Sequence, residues 1–479
     1  MRGMDVTHFG YLVIHVNVLK EVLSLDKPLA FLFNQSLTEG YLPQDWRNAN
    51  ITPIHKGGAR NQRDNYRPVS LTSQVVKVLE RIILDDIWIH IGRTGLLSCE
   101  QHGFQRGCSC VTNLLESLND WINSYDQGNS TDIVYLDFRK AFDSVAHSRL
   151  IYKLHHYGFR GHLLHWIESF LTGRKQRVVL RNGCSHWAPV ISGVPQGSIT
   201  GPVFFLLYIN DLSNVVSTQV KMFADDTKLY GPANNKENCQ KIQQDLNELS
   251  AWAQTWLLKF NSKKCTVLRL RESVRFAYCL NGDILKSVVN QRDLGIIIRS
   301  DLKPSDHIHK IVKNANQKIG LIKRCFSNRS AYIVTLLYQS IVHPTLEYAV
   351  SSWSPWLQKD ISLLEKTQKR CIRLSTEEIT IQSLEERRKN FDLCETYKYV
   401  TNKYKTPGTK LFKFANTREG LRGHNYKIAK KHTKLDVTKN FFTNRVVNNW
   451  NALPAHLVNV KDSEVFKKKL RSLHEAKRD

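Results

Sequence analysis

Hydrophobic and polar positions follow a helical period over the first part of the chain, and the period then changes. Apolar residues recur every three or four positions over residues 29–37, 69–91 and 111–122, which predicts helices there. Residues 131–138 instead form a short β-branched and aromatic stretch with an acidic residue near its end, which is typical of a buried strand. The helical period returns from residue 307 onward. The pattern therefore predicts an α+β middle region with one sheet, flanked by helical regions.

The middle region contains further predicted elements. Glycines close two of the predicted helices, and Asn182-Gly183 is a strong turn dipeptide for a hairpin. The predicted elements are helices at 147–157 and 161–171, a hairpin over 176–191, an almost wholly apolar buried helix at 198–212, a strand–turn–strand unit over 219–230, a long amphipathic helix at 236–257, and strands at 266–270 and 294–298.

Composition and charge add the class of partner. The chain has 479 residues, enough for two or three domains, with 69 Lys and Arg against 43 Asp and Glu, a net charge of +26. An excess of this size predicts a polyanionic partner, nucleic acid first and an anionic membrane second. Residues 401–479 contain 19 basic and 6 acidic residues, so half of the net charge lies there. The C-terminal end, where positive charge is densest, is therefore predicted to be the main binding region for the polyanion.

Several classes of protein are excluded by what the chain lacks. The longest uninterrupted apolar run, residues 203–209, is far shorter than the roughly 20 residues of a membrane span. The ten cysteines are irregularly spaced, which indicates reduced thiols in an intracellular protein rather than a disulfide framework. No Walker-type phosphate loop or dinucleotide fingerprint is present, so an NTPase motor and a dehydrogenase are not expected.

The most informative residues are the adjacent carboxylates Asp225 and Asp226, which lie at a predicted turn between apolar strands. Like charges this close raise one pKa unless a cation compensates. Oxygen ligands at such a turn suit Mg²⁺, and Asp137 at the end of another strand can complete a site for two ions about 3.5–4 Å apart. A solvated acidic turn is the alternative, and these residues alone leave both interpretations open.

Five ordered motifs make the chain resemble the reverse transcriptase of non-long-terminal-repeat retrotransposons, most closely the jockey-like group. The resemblance covers about residues 29–302, and it extends more weakly into the tail. The motifs are NYRPVSLTS at 65–73, QHGFQRGCS at 101–109, LDFRKAFDSV at 136–145, SGVPQGSITGPVFFLLYINDL at 192–212 and FADD at 223–226.

The resemblance implies a right-hand polymerase fold with fingers, a palm built on an antiparallel sheet, and a thumb. We expect an N-terminal remnant at 1–27, fingers at 28–130, palm at 131–230, the end of the palm and the thumb at 231–330, and a mostly helical basic nucleic-acid-binding region at 331–479. Only about 28 residues precede the polymerase region, which leaves no room for the family's usual N-terminal endonuclease. We therefore expect the polymerase portion of a longer element protein.

The family's catalytic residues map onto named positions of this sequence. The resemblance implies that Asp137, Asp225 and Asp226 hold two Mg²⁺ ions. A lysine after the acidic hairpin protonates the leaving pyrophosphate in the family, and Lys264 matches it with Lys263 as a competitor.

Nucleotide-binding residues follow in the same way. Phe142 matches the family's steric gate against a ribose 2′-hydroxyl, although a core aromatic residue is the alternative. Gln196 and Gly197 match a turn beside the incoming nucleotide, where glycine lets the backbone come close. Arg67 and Arg106 match fingers positions that clamp the triphosphate, and each is open to a purely structural interpretation.

The sequence therefore predicts an RNA-directed DNA polymerase that uses an RNA template, a DNA primer or target, and deoxynucleoside triphosphates, in the nucleus and cytoplasm, without a membrane. Its oligomeric state stays open. A catalytically inactive nucleic-acid-binding remnant is the alternative, and Phe142 argues against RNA-templated RNA synthesis. The tail aromatics either stack on bases or form a core. Thr200, at a position more often apolar in the family, is expected to loosen the palm helix slightly.

Overall fold

A computed structural model describes residues 25–271, 274–406, 408–415 and 423–475 of the chain. The predicted N-terminal remnant lies almost wholly outside the described residues. Helix and strand bounds are as follows, with labels in chain order.

The α-helices range from one turn to nearly six turns in length. They are α1 Asp26–Glu39, α2 Gln44–Arg47, α3 Gln74–Thr94, α4 Cys110–Asp126, α5 His147–His156, α6 Gly161–Leu171, α7 Gly201–Ile209, α8 Lys236–Thr255, α9 Ser305–Cys325, α10 Ala331–Leu337, α11 His343–Glu347, α12 Val350–Trp353, α13 Gln358–Ile372, α14 Leu384–Val400, α15 Asp436–Lys439, α16 Phe442–Arg445, α17 Val447–Asn451, α18 Ala455–Val458 and α19 Ser463–Glu475. Short 3₁₀ turns include Ala141–Ser144 and Gly408–Lys410, and a π-helical turn spans Tyr338–Val342.

The strands are short and form small sheets. They are β1 Ala49–His55, β2 Tyr66–Leu71, β3 Thr131–Leu136, β4 Lys175–Leu180, β5 Gly183–Cys184, β6 Ala188–Pro189, β7 Gln219–Phe223, β8 Asp226–Pro232, β9 Thr266–Leu270, β10 Cys279–Leu280, β11 Asp283–Ile284, β12 Lys286–Val288, β13 Asn290–Asp293 and β14 Ile296–Arg299.

The chain divides into two compact units, and the first contains the described residues up to 104 together with 137–217 and 245–261. Its sheet runs in the order β2-β1-β4-β5, with β6 also paired to β4. β1 pairs antiparallel with β2 and parallel with β4, so the sheet is mixed. Helix α7 is wholly apolar between Pro202 and Ile209 and nearly every side chain in it is buried, as its sequence predicts.

The second unit contains residues 105–136, 218–244 and the described residues from 262 onward. Its main sheet has the strand order β12-β9-β3-β8-β7, in which β12 pairs parallel with β9 and the other neighbours are antiparallel. Every residue of β3, the central strand, is buried. Helix α4 and the C-terminal helices pack around this sheet into one hydrophobic core. The α+β class is thus confirmed.

Lys228 and Asp293 form a buried ion pair in the second unit. On β8, Lys228 donates to Asp293 at 2.6 Å, and both side chains are at most 6% exposed. The hydroxyl of Tyr135 on β3 reaches the same carboxylate at 3.4 Å. Burial lowers the pKa of Lys228, while the Asp293 carboxylate opposes that shift. Such a pair tolerates burial because each charge has a hydrogen-bonded partner.

The predicted helix over residues 69–91 is wrong at its start. Residues 66–71 form β2, with Ser70 opposite Ile51 and Leu71 opposite Asn50 on β1, and α3 begins only at Gln74. Leu71 and Val75 have helical spacing in sequence, yet Leu71 is 56% exposed in the strand. Short apolar runs fit a helix or a strand equally well, so the pairing of these residues with β1 decides that they form a strand.

Aromatic side chains of the tail region belong mostly to the core of the second unit. Phe412, Phe441, Phe442 and Trp450 are each at most 5% exposed. This observation confirms the core interpretation over base stacking for these rings. In the part of the chain that the structure describes, no helix is long and apolar enough to cross a membrane.

Candidate active site

The two adjacent carboxylates lie at the tight turn that joins β7 to β8. Phe223 pairs with Asp226 across this turn, so Ala224 and Asp225 form its two central residues. Ala224 has a φ of +54° and is 4% exposed. A residue with a side chain in this conformation costs about 1–3 kcal/mol, which the surrounding fold must offset. The turn holds Asp225 half-buried and Asp226 exposed.

Four strand ends meet at the edge of the main sheet where this turn lies. Leu136 at the end of β3 pairs with Thr227 of β8, and Tyr135 pairs with Thr266 of β9. The ends of β3 and β7 and the beginnings of β8 and β9 therefore share one edge. The chain passes from β3 directly into Asp137, the next residue after Leu136, which begins a segment of the first unit.

Asp137 belongs to the first unit, and the two lysine candidates belong to the second. The carbonyl of Asp137 accepts a hydrogen bond from the backbone N–H of Asn261 at 2.7 Å, and Oδ2 of its carboxylate is buried. Lys263 and Lys264 lie in the turn before β9, and both are exposed.

The donor chemistry of the predicted metal ligands fits a hard divalent cation. Asp137, Asp225 and Asp226 offer only carboxylate oxygens, the ligands that Mg²⁺ prefers. Among the residues that the structure describes, no three His, Cys, Asp or Glu side chains are gathered as a ready metal cage. Mg²⁺ is bound through one or two carboxylates plus waters and substrate phosphates, so it does not require such a cage.

The predicted Gln196-Gly197 turn lies in the first unit and is fixed by hydrogen bonds from two directions. The backbone N–H of Ser70 on β2 donates to the carbonyl of Gln196 at 2.7 Å. The side-chain amide of Gln196 donates to Oδ1 of Asp143 at 2.8 Å. The N–H of Val194 donates to the carbonyl of Phe142 at 2.9 Å. The structure therefore brings Gln196, Asp143 and the backbone of Phe142 together at one loop.

Gly197 has a conformational and a steric reason to be glycine. Its φ is +133°, and a Cβ built there would lie 2.3 Å from the carbonyl oxygen of Ser70. Any other residue would have to displace the β2 backbone. The backbone approach predicted at this glycine is thus present, but it is directed at β2, and contact with a nucleotide stays a prediction.

Phe142 packs against α7 on one side. Its ring stacks on Phe205 with centroids 4.3 Å apart and an interplanar angle of 23°, and the side chain is half-buried. This contact accounts for part of the side chain as a core aromatic residue. The steric-gate role is compatible with the exposed remainder and stays a prediction.

A cleft of about 300 Å³ opens beside this loop, within the first unit. Among its lining residues are Gln196, Asp143, Lys140, Lys175 and Arg174, so basic groups outnumber acidic ones. Arg174 is 3% exposed, and burial lowers its pKa to about 10. The excess of positive charge favours an anionic ligand such as a phosphate group.

Sequence reasoning missed Asp143 and Lys140 in this cleft. Both lie in the same motif as Phe142, and Asp143 directly follows it, so motif position was the available signal. The two predicted triphosphate-binding residues occupy separate units. Arg67 is exposed on β2 of the first unit, and Arg106 is exposed between Gln105 and Gly107 in the second unit.

A third missed residue, Glu80 on α3, fixes the end of the Gln196-Gly197 loop. Glu80 is fully buried, and its Oε2 accepts hydrogen bonds from the N–H of Ile199 at 2.8 Å and from the N–H and hydroxyl of Thr200 at 2.9 and 2.8 Å. The prediction that Thr200 loosens the palm helix is therefore wrong, because its hydroxyl satisfies a buried carboxylate at the start of α7.

The chain is similar to known proteins over part of its length. Residues 54–285 match the family model of the reverse transcriptase (RNA-dependent DNA polymerase). This stretch is therefore similar to reverse transcriptases, and it contains both acidic motifs and the Gln196 loop.

The chain is also similar to polymerases of mobile elements. The chain is 26% identical to a probable RNA-directed DNA polymerase from transposon BS of Drosophila melanogaster, over 73% of this chain and 40% of the relative. It is 27% identical to the RNA-directed DNA polymerases of mobile element jockey and of the X-element from the same organism, over 72% and 73% of this chain and 39% and 40% of those proteins. The chain spans about two fifths of the length of these relatives.

Similarity to solved structures is lower. The apo telomerase of Candida tropicalis is 12% identical over 74% of this chain and 65% of its own, with a TM-score of 0.42. A TM-score at that level carries no argument about the fold.

Proposed function

We propose that the protein is an RNA-directed DNA polymerase that copies the RNA of a non-long-terminal-repeat element into DNA. The observation that carries the proposal is the reverse transcriptase match over residues 54–285, because the same stretch holds the acidic hairpin at the sheet edge. The proposed substrates are an RNA template, a DNA primer or target, and deoxynucleoside triphosphates. The fold is proposed to be a right hand, with the fingers, palm and thumb boundaries expected from the sequence.

The chemistry assigned to the acidic edge is phosphoryl transfer. Two Mg²⁺ ions, when bound, lower the pKa of the primer 3′-hydroxyl and stabilise the leaving pyrophosphate. Asp137, Asp225 and Asp226 would hold the ions. Lys264, or its neighbour Lys263, would donate a proton to the pyrophosphate from the turn before β9. These roles are supported by the shared edge of β3, β8 and β9.

Nucleotide selection is assigned to the Gln196 loop and its neighbours. Gln196, held by Asp143 and Ser70, would contact the sugar or phosphate of the incoming nucleotide. Phe142 would exclude a ribose 2′-hydroxyl with the part of its ring that Phe205 does not cover. Arg67 and Arg106 would neutralise the triphosphate, since phosphoryl transfer depends on positioning and charge neutralisation.

Primer extension tests this function directly. The full chain is incubated with a DNA primer annealed to an RNA template, the four deoxynucleoside triphosphates and MgCl₂, and parallel reactions contain ribonucleoside triphosphates or excess EDTA. The proposal predicts extension with deoxynucleotides, little with ribonucleotides, and none with EDTA. RNA binding that weakens steeply with salt, without any extension, would instead identify a nucleic-acid-binding remnant.

The proposed cellular setting is a ribonucleoprotein of the element in the nucleus and cytoplasm. Co-purification of the chain with element RNA from both fractions is the expected result.

A further inference from the structure

The C-terminal region contacts the motif that carries Arg106. The backbone N–H of Lys405 donates to the carbonyl of Gly107 at 3.1 Å, and its Nζ donates to Oε1 of Gln105 at 2.9 Å. Gln105 is 7% exposed, while Arg106 beside it is exposed. Both neighbours of Arg106 are therefore bonded to Lys405, which is almost 300 residues further along the chain.

Gly107 is shaped for this contact. Its φ is +73°, and a Cβ built there would lie 3.2 Å from the backbone nitrogen of Lys405. A side chain at this position would be strained and would also press on Lys405. The motif around Arg106 and the C-terminal segment are thus fitted to each other at the level of the backbone.

A second attachment lies at Glu116, on the helix that follows this motif. The Glu116 side chain is fully buried. Thr406 donates its hydroxyl to Oε1 at 2.6 Å, and Lys410 donates to Oε2 at 2.9 Å. Lys221 of β7, which is 1% exposed, donates to the same Oε2 at 2.7 Å. One buried carboxylate therefore joins the C-terminal segment to the strand that leads into the acidic hairpin.

The Glu116 cluster is sensitive to the loss of any member. A buried carboxylate needs its hydrogen bonds, because water cannot replace them where no solvent reaches. Lys221 lies only four residues before Asp225, so a displacement of Glu116 is transmitted to β7 and its turn. A third attachment occurs at the other end of α4, where Asp126 accepts from the N–H of Leu435 at 2.9 Å and from the hydroxyl of Thr438 at 3.0 Å.

These contacts give two lysines of the basic tail partners within the protein. Lys405 and Lys410 direct their ammonium groups at Gln105 and Glu116 within the protein. A lysine that only grips nucleic acid contacts phosphate groups and has no need of such partners.

We propose that Lys405, Thr406 and Lys410 are positioning residues for polymerisation, which hold the Arg106 motif and, through Glu116 and Lys221, the strand before the acidic hairpin. This inference rests on the proposed function. The C-terminal segment is then an integral part of the nucleotide-binding site, and its role differs from that of a tethered RNA-binding tail.

Three variants of the full chain test the proposal. Thr406→Val keeps the shape of the side chain and removes only the hydroxyl at Glu116. Lys405→Met keeps the aliphatic stem and removes the ammonium at Gln105. Lys403→Met is the matched control, because Lys403 is an exposed lysine two residues away on the same segment.

Steady-state primer extension is the first measurement. Thr406→Val and Lys405→Met are expected to raise the KM for deoxynucleotide by about three- to tenfold with a smaller change in kcat and in RNA affinity, whereas Lys403→Met leaves the KM unchanged. An unchanged KM in both test variants, or equal losses of RNA affinity for Lys405→Met and Lys403→Met, would overturn the proposal.

Amide hydrogen exchange without nucleic acid is the second measurement, and it does not depend on activity. Exchange over residues 105–109 is expected to be faster in both test variants and unchanged in Lys403→Met. Unaltered exchange over these residues would overturn the proposal even if the chain polymerises. A wild-type chain that fails to extend a primer, while exchange responds as expected, would refute the proposed function and leave the positioning contacts established. The exposed position of Lys405 keeps the test available should Thr406→Val not fold.

Discussion

Replacing Glu80 with alanine removes the acceptor of three buried hydrogen bonds. The donors are the N–H groups of Ile199 and Thr200 and the Thr200 hydroxyl, at 2.8–2.9 Å. Each buried donor left without a partner costs about 1–3 kcal/mol, and relaxation returns part of that cost. We therefore expect a loss of about 3–5 kcal/mol in the unfolding free energy of the first unit, which corresponds to a fall in Tm on the order of 10 °C.

Glu80→Gln provides the comparison. Glutamine keeps the volume and one acceptor oxygen, and it removes a buried charge. Burial raises the pKa of Glu80 above its ordinary value of 4.5, despite the hydrogen bonds from Thr200 and Ile199. The ionised form is therefore disfavoured in the folded state. Consequently the unfolding free energy of wild type, relative to Glu80→Gln, is expected to fall as the pH rises from about 4.5 toward 7.

Calorimetry and primer extension together form the assay. Asp85→Asn is the matched control, because Asp85 is an exposed carboxylate on the same helix and a surface change there is worth at most about 0.5 kcal/mol. Glu80→Ala is also expected to raise the KM for deoxynucleotide, since the loop that carries Gln196 loses its anchor. A Glu80→Ala protein that melts within about 2 °C of Asp85→Asn would refute the account of this carboxylate.

Three further changes have defined outcomes. Gly197→Ala is expected to lower the unfolding free energy, measured by urea unfolding, by at least about 2 kcal/mol more than Gly57→Ala does. Both glycines have a φ near +130°, but only at Gly197 would the added Cβ lie 2.3 Å from a backbone oxygen. Equal losses of unfolding free energy would contradict the clash. Burial lowers the pKa of Lys153 from 10.5 to about 8. The unfolding free energy of wild type relative to Lys153→Met should therefore rise by up to about 3 kcal/mol between pH 8 and pH 10.5. Calorimetric profiles of wild type and Lys153→Met that stay parallel over this pH range would contradict the prediction. Phe142→Ala should raise ribonucleotide incorporation relative to deoxynucleotide in primer extension, and an unchanged ratio would remove the gate role.

Local signals in the sequence were sufficient for the elements that determine the site. The strand–turn–strand unit predicted over residues 219–230 is β7 and β8, and the helix predicted at 161–171 has those bounds in the structure. These segments have a strong period and clear turn residues. The start of α3 was missed because Leu71 fits a helical period as well as a strand, and only pairing with β1 decides between them.

The buried charges could not be predicted in the same way. Glu80 and Glu116 lie on amphipathic helices, where a glutamate ordinarily marks the solvated face. Their partners Thr200 and Thr406 are 120 and 290 residues away in sequence, so no local pattern indicates them. Asp225 and Asp226 attract attention in the sequence because adjacent carboxylates between apolar strands are costly without a cation, but only the resemblance of the five motifs favours a metal site over a solvated turn.

The central claim, that the acidic sheet edge is the polymerase site, is tested most directly by primer extension with Asp225→Asn. The substitution keeps the size of the side chain and removes one carboxylate, and Asp45→Asn on the exposed face of α2 serves as the control. The account predicts extension on the RNA template by wild type and Asp45→Asn, and a loss of at least about a hundredfold for Asp225→Asn with RNA binding retained. Extension by Asp225→Asn at the wild-type rate would contradict it.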